Sequence, residues 1–572
     1  MKKNKNLHSF LPLVIIIIIS AAFRFIYLDR IPNAISGDEL IYPLTAKSVV
    51  LTGRDMTGAW NIFNALIFRY PPNQQQAELP YFLHLPFSGI FPFSLFTAHL
   101  PFAILSIGIV ILLYIITQTL FGTPIAFATG FIAAINPWFI VMGRTGYEST
   151  PATFFYLLAF VFILKAQGWK VVWAAVPLLL AFYSYIGTKI ILLPFVIVSL
   201  SFAYIKNKPK SLKPYVTLLA TCIIIVIIYM ILINISSGMR INDIFLPNDQ
   251  IVTDLVNEIR RKSVVFPYTN LLINKYSIYA KLLFEKLIRI FSLSYLFVEG
   301  DRFFPVRGFS FFYIIDSISI ALGILFLFAK RKIYFFLLSI LVFIGTLPHL
   351  FFKLSGDFSG HLAFMFPFII MLAGIGIKEI IFCMAKRWSM IFGSIIIIIY
   401  VCSAFYFGYI YFFVHPLQEY GDFHMHVLSR YLALAKQKNI PILLYSSTNR
   451  DFLNKYLFYT NSLSKETIRS LSLSNINDSF DLNGVSFRGC IPINNASANQ
   501  TIIMDAICTP STMNSYHSIS RLTDGGHIYN IENDILCQKH NLKQYPNKIT
   551  TYQLAIDAIN EQAFCETYIS KN

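Results

Sequence analysis

Charged residues are scarce in this chain. Asp, Glu, Lys and Arg make up 13% of its 572 residues, whereas hydrophobic residues make up 56% and aromatic residues 16%. Soluble globular domains average about 25% charged residues. The scarcity excludes an ordinary soluble domain, and the apolar excess indicates a polytopic α-helical membrane protein.

Acidic residues and metal-binding patterns are also few or missing. The 29 acidic residues against 46 basic ones give a net charge of +17. The sequence has no nucleic-acid-binding motif, so we expect no nucleic-acid partner. The sequence contains no Cys-x-x-Cys pair, which would favour a zinc site. It also contains no Asp-x-Asp pair, which would favour metal-dependent transfer. We therefore expect no cofactor and favour metal-independent chemistry; a divalent metal stays open as an alternative that the sequence does not indicate.

Long apolar runs are what the chain has instead, and they predict about eleven membrane spans. We expect the first, Phe10 to Leu28, to be a retained span rather than a cleaved signal peptide. Arg24 would then snorkel from it to the bilayer interface. The other runs lie at 97–117, 124–142, 150–165, 171–187, 189–205, 214–234, 309–329, 333–351, 361–381 and 390–413.

Basic clusters between these runs predict the topology. All of them fall on one side of the membrane if the N-terminus is cytoplasmic, as the positive-inside rule requires. We therefore expect a transmembrane domain at 1–417 with extracytoplasmic loops at 29–95 and 235–308. The clusters are Lys2, Lys3 and Lys5; Lys165 and Lys170; Lys206, Lys208, Lys210 and Lys213; Lys330, Arg331 and Lys332; and Lys386 and Arg387.

The composition changes at about residue 418, where hydrophobic runs shorten to strand length, as in Ile440 to Tyr445 and Thr501 to Met504. Residues 418–572 are therefore predicted to form an α/β domain on the extracytoplasmic face. Four of the seven cysteines, Cys490, Cys508, Cys537 and Cys565, lie in this region. Exported domains commonly form disulfides, so we expect two bridges, with three connectivities open.

An acidic pair, Asp38-Glu39, lies just beyond the first predicted span. A carboxylate beside a bilayer is solvated, paired or functional. A solvated loop is the simpler interpretation. The functional one gains weight because the long polar loops and the C-terminal domain are expected on the same face.

Several stretches resemble the type-C (GT-C) membrane glycosyltransferases, in particular the group of protein O-mannosyltransferases and lipid A aminoarabinose transferases. The resemblance covers roughly residues 10–415. Two departures stand out: His99 and Phe364 occupy positions where these enzymes usually carry arginine, so another cation must hold the phosphate. The stretches are Ser36-Gly37-Asp38-Glu39, Glu78 to Leu83 with Phe96 to Pro101, Asn136 to Ser149, and Tyr295 to Asp301 with Ser359 to Pro367.

The resemblance implies an inverting glycosyltransferase that uses a polyprenyl-phosphate-linked sugar and acts outside the cytoplasm. The acceptor, a hydroxyl of a protein, lipid or glycan, must lose a proton, which requires a general base. The leaving phosphate needs cations. We expect Asp38 to be the base and Glu39 to support it, although the two roles could be exchanged. The expected substrate-binding residues are Arg144, Glu148, Tyr185, Lys189, Arg302, Arg307 and His361.

Simpler interpretations exist for the cations. Arg144 could snorkel at the interface, Arg302 and Arg307 could belong to an amphipathic anchor, and His361 could be an ordinary helix-end histidine. Two other functions also fit the topology. One is a polymerase or ligase of lipid-linked oligosaccharides. The other is a transporter or flippase, which the lack of an internal repeat and the position of the charges at the ends of the spans disfavour.

Overall fold

A computed structural model gives the fold. It describes residues 4–69, 77–235, 249–301, 304, 306, 308–352, 358–382, 386–418, 423–473, 479–490, 500–509, 517–522, 524–543 and 549–571. Arg302 and Arg307, two of the predicted phosphate-binding residues, lie outside this set.

Among the described residues up to 418, helices are the main secondary structure. The helices of the bundle are α1 Asn4–Phe25, α5 Leu95–Phe121, α6 Thr123–Ile135, α7 Pro137–Met142, α8 Ser149–Lys165, α9 Ala175–Ser184, α10 Leu192–Asn207, α11 Lys213–Ile235, α15 Ile314–Lys330, α16 Lys332–Phe351, α17 Phe366–Phe382 and α18 Lys386–Tyr409. The loop helices are α2 Gly37–Thr52, α3 Phe63–Leu66, α4 Leu79–His84, α12 Asp249–Lys262, α13 Thr269–Leu272 and α14 Lys275–Ile290.

Each predicted apolar run is mostly helical, so the prediction of a helical membrane fold is confirmed. Among the described residues, five helices are long and apolar enough to cross a membrane. The others are shorter, and the number of spans and the orientation of the N-terminus stay predictions. The five are Leu95–Phe121, Ile186–Asn207, Lys213–Ile233, Lys332–Phe351 and Arg387–Leu417.

The third predicted span is not one helix. It breaks at Asn136, whose side chain caps the next helix by accepting from the Phe139 N–H at 3.0 Å. Proline at 137 has no N–H to donate and suits the first position of α7. The break leaves the last carbonyls of α6 without helical partners.

Arg24 meets those carbonyls, so the expectation that it snorkels to the interface is wrong. Its side chain is fully buried. One terminal nitrogen donates to Ala134 O at 2.7 Å and the other to Ala133 O at 3.4 Å. Its Nε donates to Ser106 Oγ at 3.0 Å. A cation at a helix C-terminus is stabilised by the helix dipole, which makes Arg24 a buried cap for α6.

Glycines bring α15 and α17 into close contact. A Cβ on Gly376 would lie 1.8 Å from Ser319 O, and one on Gly323 would lie 2.1 Å from Leu372 O. Only glycine permits backbones to approach this closely, as at many helix interfaces in membranes. The pair therefore fixes α17, whose N-terminal end carries the turn Ser359–Leu362 with His361.

The C-terminal region folds into the predicted α/β domain. Its single seven-stranded sheet has the order β2-β3-β1-β4-β6-β5-β7, with β1 parallel to β3 and β4 and the other pairs antiparallel. Disulfides join Cys490 to Cys508 and Cys537 to Cys565. The strands are β1 Ile442–Tyr445, β2 Phe480–Leu482, β3 Val485–Arg488, β4 Thr501–Asp505, β5 His517–Ser520, β6 His527–Glu532 and β7 Ile569–Lys571. The helices are α19 Phe423–Gln437, α20 Asn449–Tyr459, α21 Lys465–Leu473 and α22 Glu561–Tyr568.

The core of this domain continues into the first half of the chain. Ile35, Leu40 and Leu44, on and just before α2, belong to the same buried cluster as Leu428 and Leu457. Burial of apolar surface is the main source of folding free energy. The segment that carries Asp38 and Glu39 is therefore packed against the C-terminal domain.

Candidate active site

Asp38 and Glu39 occupy the first turn of α2 in different environments. Ser36 is the N-cap, and its hydroxyl lies 2.8 Å from Glu39 Oε1 in a capping box. The box turns Glu39 inward, where it is buried, while Asp38 is exposed. The partial positive charge at the helix N-terminus interacts favourably with negatively charged side chains in this first turn.

Two further groups contact the Glu39 carboxylate. The N–H of Gly146 donates to Glu39 Oε2, and His99 Nε2 lies 3.4 Å from the same oxygen. Burial alone would raise the pKa of Glu39, but His99, the Gly146 N–H and the Ser36 hydroxyl together bring that pKa below its usual value. Glu39 is therefore a fixed, ionised group. His99, noted above as a departure from arginine, is its partner.

Gly146 permits this contact because it has no side chain. A Cβ at this position would lie 3.2 Å from Glu39 Oε2 and 3.3 Å from its Cβ, which is tighter than ordinary van der Waals contact between such atoms. The glycine lies inside the Asn136 to Ser149 stretch, but its role depends on a residue far away in sequence.

Arg144 is buried in the scaffold next to this carboxylate. Its terminal nitrogens donate to Phe23 O at 2.9 Å and Ile31 O at 2.7 Å. Its guanidinium lies 5.6 Å and 5.0 Å from the ring centroids of Tyr411 and Phe412. These contacts tie α1, the following turn and the segment directly after α18 together. They favour a structural role over the predicted phosphate contact and over interface snorkelling.

Lys189 has a carboxylate partner that the sequence did not reveal. Its Nζ lies 2.9 Å from Glu78 Oε2 and donates to Phe182 O at 2.8 Å. Both side chains are almost fully buried, so the pair is shielded from water. Four aromatic rings surround the ammonium with centroids at 4.7 to 5.7 Å. They belong to Phe68, Phe182, Tyr183 and Tyr229.

Glu148 reaches back to α2. The hydroxyl of Tyr42, on the second turn of α2, donates to Glu148 Oε1, and the N–H of Ala77 donates to the same oxygen at 3.2 Å. Glu148 is half-buried. It therefore joins the segment that precedes α4 to the helix that carries Asp38.

Tyr185 and His361, predicted separately from sequence, come together. The Tyr185 hydroxyl lies 2.5 Å from His361 Nδ1, and the two rings are stacked with centroids 5.7 Å apart.

Lys286 is a cation that sequence reasoning missed. It lies on α14, is half-buried, and donates from Nζ to Phe352 O at 2.6 Å, next to the turn that carries His361. Its charge acts on His361. The sequence signal was weak, because Lys286 belongs to a loop helix with several exposed basic residues.

Three consecutive residues, 146–148, connect the acidic motif on α2 with the Tyr185–His361 pair. Gly146 contacts Glu39, Glu148 contacts Tyr42, and the Tyr147 ring packs at 5.5 Å against Phe358. Phe358 in turn lies 5.2 Å from the His361 ring. The segment 146–148 therefore places the acidic motif and the Tyr185–His361 pair at the same end of the bundle.

The Asp301 carboxylate connects two segments that resemble the GT-C enzymes in sequence, Tyr295 to Asp301 and Ser359 to Pro367. Asp301 accepts from the N–H of Phe304 at 2.6 Å and from the N–H of Ser359. The loop that follows Tyr295–Glu299 is thus bound to the turn that carries His361.

The C-terminal domain holds the residues directly before the acidic motif. The Ile35 N–H donates to Tyr459 Oη at 2.9 Å, and Lys455 Nζ donates to Ile35 O at 3.3 Å. His426 Nδ1 lies 3.0 Å from Asn33 O, and its ring stacks on Tyr459 at 3.8 Å. Burial lowers the pKa of Lys455 to about 8, against the opposing effect of Glu39. We call Lys455, Tyr459 and His426 the clamp.

In the part of the chain that the structure describes, no three His, Cys, Asp or Glu side chains form a group suited to a metal ion.

No family model and no curated protein matches the sequence, but solved structures match the fold. ArnT from Cupriavidus metallidurans in the apo state is 11% identical with a TM-score of 0.50; the match covers 91% of this chain and 97% of that one. ArnT bound to undecaprenyl phosphate gives 0.49 at the same identity and coverage. The archaeal oligosaccharyltransferase AglB from Archaeoglobus fulgidus, in complex with an inhibitory peptide and a dolichol-phosphate, is 12% identical with a TM-score of 0.44, over 88% of this chain and 70% of that one.

The shared architecture with ArnT extends over nearly the whole of both chains. The fold is therefore that of a type-C membrane glycosyltransferase, and the resemblance found in the sequence is confirmed at the level of the fold. Sequence identity this low carries no residue roles from ArnT to this chain.

Proposed function

We propose that this chain is a membrane glycosyltransferase that moves a sugar from a polyprenyl-phosphate-linked donor to an acceptor hydroxyl, with inversion at the anomeric carbon. The observation that carries the proposal is the division of the acidic pair. Asp38 is exposed at a helix N-terminus, while Glu39 beside it is buried and held by three partners. One carboxylate is thus exposed at the surface and the other is fixed in the scaffold.

The donor class follows from the sequence resemblance together with the fold. ArnT, which has this fold, has been solved with undecaprenyl phosphate bound. We place the lipid phosphate near Lys286 and the Tyr185–His361 pair. Lys189 remains a predicted contact, although Glu78 already balances its charge. Arg302 and Arg307 stay predictions from sequence.

In the proposed reaction the acceptor oxygen attacks the anomeric carbon and gives its proton to Asp38. The bond from that carbon to the phosphate oxygen breaks, and its electron pair leaves with the lipid monophosphate. A phosphate leaves as an anion and needs no general acid, unlike the alkoxide leaving group of a glycoside. Cations and hydrogen-bond donors that face the growing charge lower the barrier instead.

The test is release of polyprenyl phosphate by purified protein incubated with a panel of polyprenyl-phosphate sugars and hydroxyl acceptors. Asp38→Asn keeps the shape of the side chain but cannot accept the proton. We expect its turnover to fall by roughly 10²–10⁴-fold with donor binding unchanged, because general-base catalysis contributes about that much. Asp524→Asn is the control, since this exposed carboxylate of the C-terminal domain pairs with Arg521 and accepts from the Gly526 N–H.

Near-normal turnover in Asp38→Asn would refute the assignment of the base. A second panel of polyprenyl-diphosphate oligosaccharides tests the alternative: transfer of a whole oligosaccharide with release of the polyprenyl diphosphate would replace the proposal by an oligosaccharide ligase or polymerase. Absence of release with every donor would refute the transferase itself.

A further inference from the structure

Helices α12 and α14 form a hairpin with one well-packed face. Val252 and Val256 of α12 and Ile278 of α14 are buried against each other, and Leu255 and Leu282 pack on them. The apolar residues that recur along this side of each helix are therefore packed against the other helix. Any further apolar surface on the hairpin must find another partner or stay in contact with water.

Such surface exists on the other face of α14. Tyr276, Ala280, Phe284 and Ile288 recur every four residues and line one side of the helix. All four are exposed, with Tyr276 at 86% and Phe284 at 63%. They form a continuous apolar stripe over about three turns that no described part of the chain covers.

The segment between the helices is still more exposed. Val264 and Val265 are 90% and 99% accessible, and Leu271 is 73% accessible. Exposed apolar side chains are ordinary when single, but contiguous apolar patches mark surfaces that bind a protein or a membrane. We call residues 264–272 the tip.

Charge identifies the partner. Between residues 259 and 281 the chain has five basic residues, Arg260, Arg261, Lys262, Lys275 and Lys281, and no acidic residue. Two of them pair with carboxylates at the edges of this stretch, Lys262 with Glu258 and Lys281 with Glu285, and the basic residues remain in excess. An apolar face bordered by lysine and arginine is typical of helices that lie in the interface of anionic membranes. An acidic protein surface would match the charges but not the apolar stripe and tip.

Connectivity places the hairpin at the membrane. It lies in the chain between α11 and α15, both apolar helices of the bundle. Lys286 Nζ, near the end of α14, is bound to Phe352 O just past the end of α16 at 2.6 Å. The nearest apolar phase for the stripe and the tip is therefore the bilayer around the bundle.

We propose that the stripe of α14 and the tip insert into the adjacent leaflet of the bilayer, with the five basic residues on anionic lipid headgroups. The inference is independent of the proposed function. If that function holds, insertion also fixes the height of Lys286, which α14 carries, relative to the lipid whose phosphate it would meet.

The test measures the depth of a nitroxide in the full-length protein. Val265→Cys and the control Ile507→Cys are each spin-labelled in a background with Cys222, Cys383 and Cys402 replaced by alanine. Ile507 suits the comparison because it is an 82% exposed apolar residue of the C-terminal domain. The protein is placed in nanodiscs containing phosphatidylglycerol. Collision with oxygen, which concentrates in hydrocarbon, is compared with collision with a water-soluble nickel chelate.

We expect the ratio of oxygen to nickel accessibility to be several-fold higher at position 265 than at position 507, and to fall when phosphatidylcholine replaces the anionic lipid. Equal ratios at the two positions would overturn the proposal. Low accessibility to both reagents, together with spectral broadening from two nitroxides at position 265 that lie close together, would also overturn it. That result marks contact between two copies of the protein. A ratio unaffected by the lipid would overturn the part assigned to the basic residues.

Discussion

At the scale of single residues, the site depends on close contacts around one buried carboxylate. Glu39 is held by its own helix cap through Ser36 and by two distant residues, Gly146 and His99. Asp38, one position earlier, has its side chain on the exposed side of the same turn. A small displacement of Glu39 is therefore transmitted directly to the proposed base.

Gly146→Ala tests that coupling. The added methyl group would lie 3.2 Å from Glu39 Oε2, so the carboxylate and the first turn of α2 must shift. We expect turnover to fall by as much as about 10²-fold with the fold intact, because displacements near 1 Å can have that effect on a reaction. Polyprenyl phosphate release measures it. Gly393→Ala, where the nearest atom is at 3.6 Å, should leave turnover unchanged; equal effects in both variants would contradict the coupling.

Lys189 and Glu78 allow a second test at this scale. Lys189→Met leaves the buried Glu78 carboxylate without its cation, which costs about 3–5 kcal/mol for a buried pair. We expect a lower thermal unfolding midpoint in detergent, and recovery in the double variant Glu78→Leu/Lys189→Met. If Lys189 serves mainly to bind the donor phosphate, the single variant will instead keep its midpoint and lose donor binding.

At the scale of elements, α20 and α19 of the C-terminal domain act on α2. Tyr459 and Lys455 lie one turn apart on α20, and together they satisfy both backbone groups of Ile35. His426 of α19 stacks on Tyr459 and contacts Asn33 O. The clamp thus fixes the backbone at Ile35, three residues before Asp38. Without these contacts this loop backbone could adopt other conformations.

Tyr459→Phe removes one contact of the clamp while keeping the ring stack. The Ile35 N–H then loses its acceptor, and an unsatisfied buried donor costs about 1–3 kcal/mol. We expect faster hydrogen exchange of the amides in 33–40 and a lower kcat with little change in KM. Tyr552→Phe, at an exposed tyrosine of the same domain, is the matched control. Unchanged exchange at 33–40 would show that the clamp does not hold this segment.

At the scale of the whole molecule, sequence periodicity was enough to predict a helical bundle followed by an α/β domain, because burial in a bilayer and in a sheet leave different hydrophobic patterns. The acidic motif and the members of the Tyr185–His361 pair were also predicted. The pairing of Lys189 with Glu78, the buried cap of Arg24 and the clamp were not. Each joins residues that are distant in sequence, and no local pattern encodes which distant partner a buried polar group will meet.

The continuous core between the domain and α2 leads to the last prediction, which compares the two disulfides. Cys537 and Cys565 are fully buried within that core, whereas Cys490 is exposed. Removing a native disulfide from a small domain typically costs about 2–5 kcal/mol. We expect Cys537→Ser/Cys565→Ser to lower the unfolding midpoint, raise hydrogen exchange at 33–44 and reduce polyprenyl phosphate release. Cys490→Ser/Cys508→Ser should have a smaller effect on the midpoint and none on release, because its bridge lies outside the shared core. If the buried pair can be removed without any change at 33–44, the domain and α2 fold independently, and the C-terminal domain is then a neighbour of the site and not a part of its scaffold.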